Sequence, residues 1–309
     1  MSIEDISKSV HQRLLNTRDE TGEQFNHLLV RYGLERLLYR IEASGHANVF
    51  ILKGAVLFSL WHALPGRPTR DIDLLGTGEQ THKRLRSIFA DVCAAKVTAD
   101  GLRFDEASIQ TDDIREGREY HGIRVRMLAF LGKARIPIQI DVGFGDALTP
   151  PPERLHYPAI LDFPTPYLRA YHPATVVAEK VNAMVVLGAM NSRMKDFYDV
   201  HMILTHIPID GTLLVDAIRA TFSRRKTSLP SDLPIVFTQE FLEDGTKETL
   251  WRAFLDRSLL SSFGMSLAEV LGDLKFWLWP LLQAEEQPED RASAGDGNVQ
   301  NDLAAKSPK

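Results

Sequence analysis

The chain has 309 residues, of which 44% are hydrophobic and 25% are charged, and its formal net charge is -5. This composition is typical of a globular protein with one large or two smaller domains, and it gives no overall indication of nucleic-acid binding. A single cysteine, Cys93, excludes a disulfide framework or a cysteine-type zinc site and favours a reducing compartment.

The first residues of the chain do not resemble an export leader. Ser2, Glu4 and Asp5 stand where such a leader has basic and then apolar residues. No apolar run approaches the length needed to cross a bilayer. We therefore expect a cytoplasmic protein with no membrane partner.

The first half of the chain predicts two helices followed by a mixed sheet with helices on it. Apolar residues recur at helical spacing from Ile3 and again over residues 20–44, and Gly45 ends the second helix. From residue 48 the pattern changes to short apolar runs bounded by turn residues. Strands are predicted at 49–52, 71–75, 104–109, 123–131 and 137–142, with helices at 55–63 and 79–95.

The second half predicts a helical domain. Residues 149–173 contain seven prolines and little periodicity, which is typical of a connection over a surface. We place the domain boundary there, between an α+β domain at 1–150 and a helical domain at 151–283. Residues 284–309 have almost no large apolar side chains and predict a disordered tail. Helices are predicted at 173–190, 192–205, 211–221, 247–262 and 266–282.

Two aspartates separated by one residue are the most informative feature. In a strand, Asp71 and Asp73 point to one face while Ile72 and Leu74 point into a core. Two carboxylates held this close favour Mg²⁺, which also needs substrate phosphates, so the pair indicates phosphoryl-type transfer from a nucleoside triphosphate. The alternative is that Asp71 pairs with Arg67 or Arg70.

A third carboxylate, Asp141, lies on the polar face of a later predicted strand. If that strand neighbours the first, Asp141 lies beside the pair and completes the three carboxylates that two-metal transfer sites use. It could complete the metal site or act as a base. The alternative is that Asp141 is only a solvent-exposed polar residue at the end of a strand.

Lys180 falls within the apolar stripe of its predicted helix, which is costly unless an anion neutralises the ammonium. Its expected partner is the triphosphate, in a cleft between the two domains. The alternative is an ammonium that reaches water at the end of an extended side chain.

Asp196 and Asp199 share one face at the start of the next predicted helix, which Ser192 can cap. Asp196 could orient Lys180 or accept the proton of an attacking hydroxyl, while Arg193 would face phosphates. A charged helix start with internal ion pairs is the alternative.

Lys53 and Gly54 follow a strand and open a predicted helix, where backbone amides and a lysine can bind phosphate. A single glycine at this place is far short of a P-loop, and the chain contains no such motif. Arg67 and Arg70 are further candidate phosphate contacts.

Four segments, LKGAVLFSLWHALPGRPTRDIDLL, IQIDVGFGD, AEKVNAMV and SRMKDFYDV, together resemble the nucleotidyltransferase family of the AbiEii abortive-infection toxins and the MenT-type toxins. The resemblance implies a polymerase-beta-like nucleotidyltransferase core with a helical C-terminal domain. It also implies that Asp71 and Asp73 bind metal, that Lys180 is the essential lysine, and that Asp196 or Asp199 is the aspartate of the fourth motif. Asp141 falls at the second motif. One departure is Gly54-Ala55, where many such enzymes have Gly-Ser or Gly-Gly.

We therefore expect a Mg²⁺-dependent nucleotidyltransferase that moves a nucleoside monophosphate from an NTP to a hydroxyl acceptor, the 3′ end of tRNA. The resemblance implies that it is the toxin of a toxin–antitoxin pair with a cognate antitoxin protein. Two alternatives stay open: an adenylyltransferase acting on a protein or an antibiotic-like small molecule, and a catalytically silent nucleotide-binding module.

Overall fold

A seven-stranded mixed sheet forms the centre of the first of two units in this computed structural model, which describes residues 3–61, 69, 71–116 and 120–284. Among these residues, the first unit includes the chain up to Asp146 and Glu153–Ala170, and the second includes Ala147–Pro152 and the chain from Tyr171. The predicted tail lies outside the described residues, apart from Ala284.

The first unit begins with two helices, α1 (Ile3–Thr21) and α2 (Phe25–Ala43). The helix predicted from residue 20 therefore starts later, because Gly22 takes a positive φ of 73° and separates the two helices. A 3₁₀ helix at Gly54–Ser59 replaces the helix predicted at 55–63. The strands are β1 (Phe50–Lys53), β2 (Ile72–Gly76), β3 (Leu102–Glu116), β4 (Tyr120–Leu131), β5 (Ala134–Phe144), β6 (Glu153–His156) and β7 (Tyr167–Ala170), with helix α3 (His82–Ala94) between β2 and β3.

The strand order across the sheet is β3-β4-β5-β2-β1-β7-β6. The pairs β2/β5 and β1/β7 are parallel, and the other neighbours are antiparallel. Strands β6 and β7 come from the proline-rich segment that was predicted to be a surface connection. Because they join the edge of the sheet, residues 153–170 lie in the first unit and not beyond the boundary predicted at residue 150.

One face of the sheet is apolar and is covered by helices. In β5, Ile136, Ile138 and Ile140 are buried and alternate with more polar residues, as a period of two requires. Helix α2 packs on β5 and β7, and α3 packs on β3. The approach of α2 is close: a Cβ added at Gly33 would lie 3.1 Å from both Ile136 Cγ2 and Ile138 Cδ1. The opposite face therefore presents the polar residues of these strands.

A buried ion pair fixes the start of β3 against α2. Nη1 and Nη2 of Arg40 donate to Oδ2 and Oδ1 of Asp100 at 2.6 and 2.9 Å. The side chains are only 6% and 1% exposed. Tyr32 donates its hydroxyl to the backbone oxygen of Asp100 at 2.7 Å, and burial is the main cause of the raised pKa of that phenol.

The second unit is helical. His172 accepts a hydrogen bond from the backbone of Ala174, and Pro173 provides the first residue of helix α4. A capping box of Ser266 and Glu269 starts the last helix. The helices are α4 (Pro173–Leu187), α5 (Met194–His206), α6 (Gly211–Arg224), α7 (Gln239–Glu243), α8 (Gly245–Arg257) and α9 (Leu267–Gln283), with 3₁₀ turns at Gly188–Met190, Ile235–Phe237 and Ser261–Phe263.

Helix α4 and the turn after it, Pro173–Met190, just reach the length and mean hydropathy of a membrane span, which the expectation from sequence had excluded. Half of this segment is buried inside the protein, and α4 packs against α5 and α6. Both observations are typical of the core helix of a globular unit.

The α+β fold class, with a mixed sheet in the core and a helical C-terminal region, is confirmed.

Candidate functional site

Strand β2 and the residue just before it carry two aspartates, Asp73 and Asp71. Ile72 and Leu74 are 0% and 1% exposed, so Asp73, which lies between them in β2, points the other way. Asp71 directly precedes the first residue of β2. Both aspartates are half-buried. The hydroxyl of Thr69 donates to Asp71 Oδ1 at 3.0 Å, which fixes that carboxylate at the entrance to the strand.

The turn after β1 closes tightly over Asp73. Gly54 has a positive φ of 72°, and a Cβ added there would lie 2.0 Å from Asp73 Oδ2. Only a residue without a side chain leaves room for the carboxylate at this distance. Gly54 thus leaves room for the Asp73 carboxylate. Its role as a phosphate-binding amide stays a prediction.

The condition for Asp141 to lie beside Asp73 is met, because β2 and β5 are neighbours: Asp73 and Asp141 are register partners in this parallel pair. The pairing continues to both sides, with Lys53 opposite Asp73 on β1, Arg124 opposite Asp141 on β4, and Asp112 opposite Arg124 on β3. These five residues form a charged row across one face of the sheet, since register partners share a face. Two carboxylates therefore lie side by side with a cation on each flank.

Arg124 binds Asp141 through two hydrogen bonds. Its Nε donates to Oδ1 at 2.7 Å and its Nη2 donates to Oδ2 at 2.6 Å. The hydrogen bonds with Asp141 raise the pKa of Arg124, burial opposes them, and attraction to Asp141, Asp71 and Asp73 adds to the increase. The guanidinium is thus a fixed positive charge that three carboxylates attract.

The sequence did not link Arg124 to Asp141; it indicated only a solvated strand face or a contact with a nucleic-acid backbone for this arginine. Its alternation with buried Ile123 and Val125 placed it on the polar face of β4, but the pairing of β4 with β5 was needed to bring it to Asp141.

Lys53 has a buried partner that was also missed. Its Nζ lies 2.5 Å from Asp146 Oδ2, and the side chains of Lys53 and Asp146 are 15% and 2% exposed. Asp146 is the last residue of the segment IQIDVGFGD, just beyond β5. Lys53, the register partner of Asp73, therefore pairs with the Asp146 carboxylate. Its contact with phosphate stays a prediction.

A second group of charged residues, the lysine cluster, lies in the helical unit. Lys180 of α4 donates to Asp196 Oδ1 at 2.7 Å and to Asp199 Oδ2 at 2.8 Å. Arg193 Nε lies 2.7 Å from Asp196 Oδ2. Lys180 is 14% exposed, and the two aspartates are 1% and 0% exposed. These four residues make up the cluster.

Two opposing effects act on the Lys180 ammonium. Burial disfavours its charge, but the attraction and hydrogen bonds of Asp196 and Asp199 are stronger, so the pKa of Lys180 is raised. Lys180 is largely buried, as its place in the apolar stripe predicted, and carboxylates of the same unit neutralise its charge. Helix α5 begins at Met194 without a side-chain cap, so the predicted cap by Ser192 is wrong.

The predicted site residues fall into these two groups. Lys53, Gly54, Asp71, Asp73 and Asp141 lie in the first unit, in or beside the charged row. The lysine cluster lies in the second unit. Arg67 and Arg70 lie outside the described residues.

The first group offers oxygen donors suited to a divalent cation. Within the described residues, no group of three or more His, Cys, Asp or Glu side chains is arranged to hold a metal ion. Mg²⁺ does not need one, because it uses one or two carboxylates together with waters and substrate phosphates. Asp71 and Asp73 fit that requirement, while both oxygens of Asp141 accept hydrogen bonds from Arg124.

A family model described as nucleotidyl transferase AbiEii toxin, type IV toxin–antitoxin system, matches residues 36–265, about three quarters of the chain. The chain belongs to this family. The match includes β1, β2, β5, α4 and α5, and hence both groups of charged residues. The resemblance read from the four sequence segments is confirmed, and the fold is that of the AbiEii nucleotidyltransferases.

No curated protein matches the chain. Two solved structures from Helicobacter pylori are similar to this AbiEii-family chain. One is JHP933, at 13% identity and a TM-score of 0.47, covering 82% of this chain and 92% of that one. The other is a candidate nucleotidyltransferase, at 12% identity and a TM-score of 0.45, covering 82% and 95%.

Proposed function

We propose that this AbiEii-family protein transfers a nucleoside monophosphate from an NTP to the 3′ hydroxyl of tRNA. The observation that supports the proposal most directly is the register of β2 and β5, which puts Asp73 beside Asp141. Asp71 directly precedes β2. Adjacent carboxylates on a rigid sheet are the donors that nucleotidyl transfer requires, and the family is one of nucleotidyl transferases.

In the reaction, the oxygen of the acceptor hydroxyl forms a bond to the α-phosphorus while the bond from that phosphorus to the bridging oxygen breaks. Pyrophosphate leaves with the bonding electron pair, and the hydroxyl proton passes to a base. Asp141 or Asp196 is the proposed base, and Asp199 shares Lys180 with Asp196. A carboxylate suits this task because it accepts a proton within hydrogen-bond reach.

Binding of the triphosphate is proposed for the cationic residues. Lys180 would bind phosphate oxygens, with Lys53, Arg193, Arg67 and Arg70 as further contacts and Gly54 leaving room for close approach. Asp71 and Asp73 would hold Mg²⁺, together with Asp141 when it is released from Arg124. When bound, the cation would neutralise phosphate charge and lower the pKa of the attacking hydroxyl.

The biological proposal follows the family. The protein would be the toxin of a type IV toxin–antitoxin pair, with a cognate antitoxin protein as its partner. It would act in the cytoplasm, where NTPs and tRNA are present. Modification of the 3′ end of tRNA would block aminoacylation.

An incubation with NTPs labelled at the α-phosphate tests the proposal. Each of the four NTPs is mixed with total tRNA or with cell lysate, and RNA and protein are separated on denaturing gels. We expect label on tRNA. Oxidation of the tRNA 3′ diol with periodate before the reaction should abolish labelling, which locates the acceptor hydroxyl.

The other outcomes separate the alternatives. Label only on protein or on a small molecule would reject tRNA as the acceptor. Tight NTP binding without release of pyrophosphate on any acceptor would reject transfer altogether and favour a silent nucleotide-binding module.

A further inference from the structure

Arg124 lies at one side of the two adjacent carboxylates in the charged row, Asp73 and Asp141. Asp73 and Asp141 are register partners, and neighbouring strands are about 4.8 Å apart, so their two negative charges are close. Both oxygens of Asp141 accept hydrogen bonds from Arg124. The guanidinium thus compensates these carboxylates from within the protein.

The pairing is well fixed. Arg124 and Asp141 are register partners on the adjacent antiparallel strands β4 and β5. The hydrogen bonds between the two strands therefore keep the backbones of the two residues side by side. A planar guanidinium and a carboxylate that meet through two parallel hydrogen bonds form a strong and directional contact. The Arg124 and Asp141 side chains are 37% and 17% exposed, so a cation arriving from solvent can reach both.

We propose that Arg124 is a positioning residue that competes with the divalent cation for the carboxylate of Asp141. This inference rests on the proposed function, in which Asp71 and Asp73 bind the cation. For Asp141 to become a ligand, its two hydrogen bonds from Arg124 must be given up.

The competition weakens cation binding when no nucleotide is present. An incoming cation meets the positive charge of Arg124 and a carboxylate that is already bound on both oxygens. The triphosphate supplies negative charge that offsets this penalty. Arg124 therefore couples the two ligands, so that the cation binds well only together with the NTP.

Binding of Mn²⁺ without NTP tests the inference, measured by calorimetry and by the spin resonance of free Mn²⁺. Arg124→Gln should raise the affinity for Mn²⁺ roughly tenfold, because it removes a positive charge near the site and frees Asp141. Arg124→Lys keeps the positive charge but cannot donate the two parallel hydrogen bonds of a guanidinium, so its affinity for Mn²⁺ should rise less. The added NTP should improve Mn²⁺ binding less in R124Q than in the wild type.

A matched control and a double variant separate local competition from a general charge effect. Arg126→Gln removes an arginine two residues away on the same strand face, where its partner is Asp112, and should change the affinity little. Asp141→Asn combined with Arg124→Gln should lose most of the gain seen in R124Q, because the gain acts through the Asp141 carboxylate.

An unchanged or lower Mn²⁺ affinity in R124Q, with R124K showing no increase either, would overturn the inference. So would a gain in R124Q that persists in the double variant. Asp73→Asn tests the proposed function separately: if D73N binds Mn²⁺ as the wild type does, the metal site itself is wrong, whatever Arg124 does. Circular dichroism of each variant verifies that it is folded.

Discussion

Asp73 and Asp141 lie opposite each other on the adjacent parallel strands β2 and β5. They are 68 positions apart in the sequence, and the helix α3 and two long strands separate them. Their proximity comes from the parallel pairing of β2 with β5, which the connecting elements make possible. The acidic centre of the protein is thus a property of sheet topology.

Asp73→Asn should abolish nucleotidyl transfer. The substitution keeps the shape of the side chain but removes its charge, so the proposed cation loses a ligand. We expect the transfer rate to fall by about a hundredfold or more. Initial rates with α-labelled NTP and tRNA provide the measurement.

Asp113→Asn is the matched control for D73N. Asp113 is an exposed aspartate of β3 that pairs with His82, and its side chain is 68% exposed. Its variant should keep the wild-type rate. Equal rates in D73N and D113N would remove Asp73 from the mechanism.

Gly54→Ala should lower both stability and transfer. A left-handed φ costs a residue with a side chain about 1–2 kcal/mol, and the new methyl would collide with the Asp73 carboxylate 2.0 Å away. The carboxylate or the turn must therefore move. Thermal unfolding and the transfer rate of the same preparation report the two effects.

Gly22→Ala is the control that introduces a side chain at a left-handed φ without a collision. Gly22 has a φ of 73°, and a Cβ there meets nothing within 4 Å. It should lose only the roughly 1–2 kcal/mol that the left-handed φ costs, and it should keep its activity. If G54A retained wild-type activity, the close approach of Gly54 to Asp73 would have no functional importance.

Lys180→Met should unfold more easily than the wild type. It removes the ammonium that Asp196 and Asp199 share at 2.7 and 2.8 Å, both of them buried. Breaking a buried pair costs about 3–5 kcal/mol, so loss of activity alone would not prove a catalytic role for Lys180. Urea unfolding at pH 7 measures the cost.

The double variant Lys180→Met with Asp199→Asn should recover part of that stability, since one buried charge is removed as well. A K180M protein as stable as the wild type would contradict the compensation seen in the lysine cluster. Recovered stability with activity still absent would favour a direct role for Lys180 or Asp199 rather than an effect of instability.

The lysine cluster also predicts a dependence on alkaline pH. The folded pKa of Lys180 is raised above its unfolded value of about 10.4, so its contribution to stability is complete below that pH. It is lost as the pH rises through the raised folded value. The difference in unfolding free energy between the wild type and K180M should be constant from pH 7 to about pH 10 and then decrease. A difference that grows with pH would contradict the direction of the shift.

Asp100→Asn should affect stability alone. It removes the charge that pairs with Arg40 in a buried contact, at a cost of about 3–5 kcal/mol. Asp100 is not part of the charged row, so Mn²⁺ affinity and the transfer rate per folded molecule should be unchanged. Reduced Mn²⁺ affinity in folded D100N would show that the helix-facing side of the sheet affects the site.

Local patterns predicted much of the fold. The strand predicted at 71–75 is β2 at Ile72–Gly76, and the helix predicted from Pro173 is α4. In both segments the apolar residues recur with the spacing that burial of one face requires, two residues in a strand and three to four in a helix. Strands β6 and β7 were not predicted, because each has only four residues and they are separated by proline-containing segments.

Side-chain partners were harder to predict than strands. The pattern placed Asp71 and Asp73 on one face, and Asp141 beside them if the strands were neighbours, which they are. The partners Arg124 and Asp146 depend on pairings between distant segments. For Lys180, the apolar stripe indicated a buried ammonium, and the link to Asp196 was one of the stated options.

The charged row has a consequence for how the chain can vary in length. Alternate residues of a strand face opposite sides, so deleting one residue inside β2 would turn Asp73 toward the apolar face of the sheet and bring a leucine to the polar face. The same holds for an insertion in β1, β4 or β5. Related proteins should therefore differ in the length of their connections, while these four strands keep an unchanged residue count.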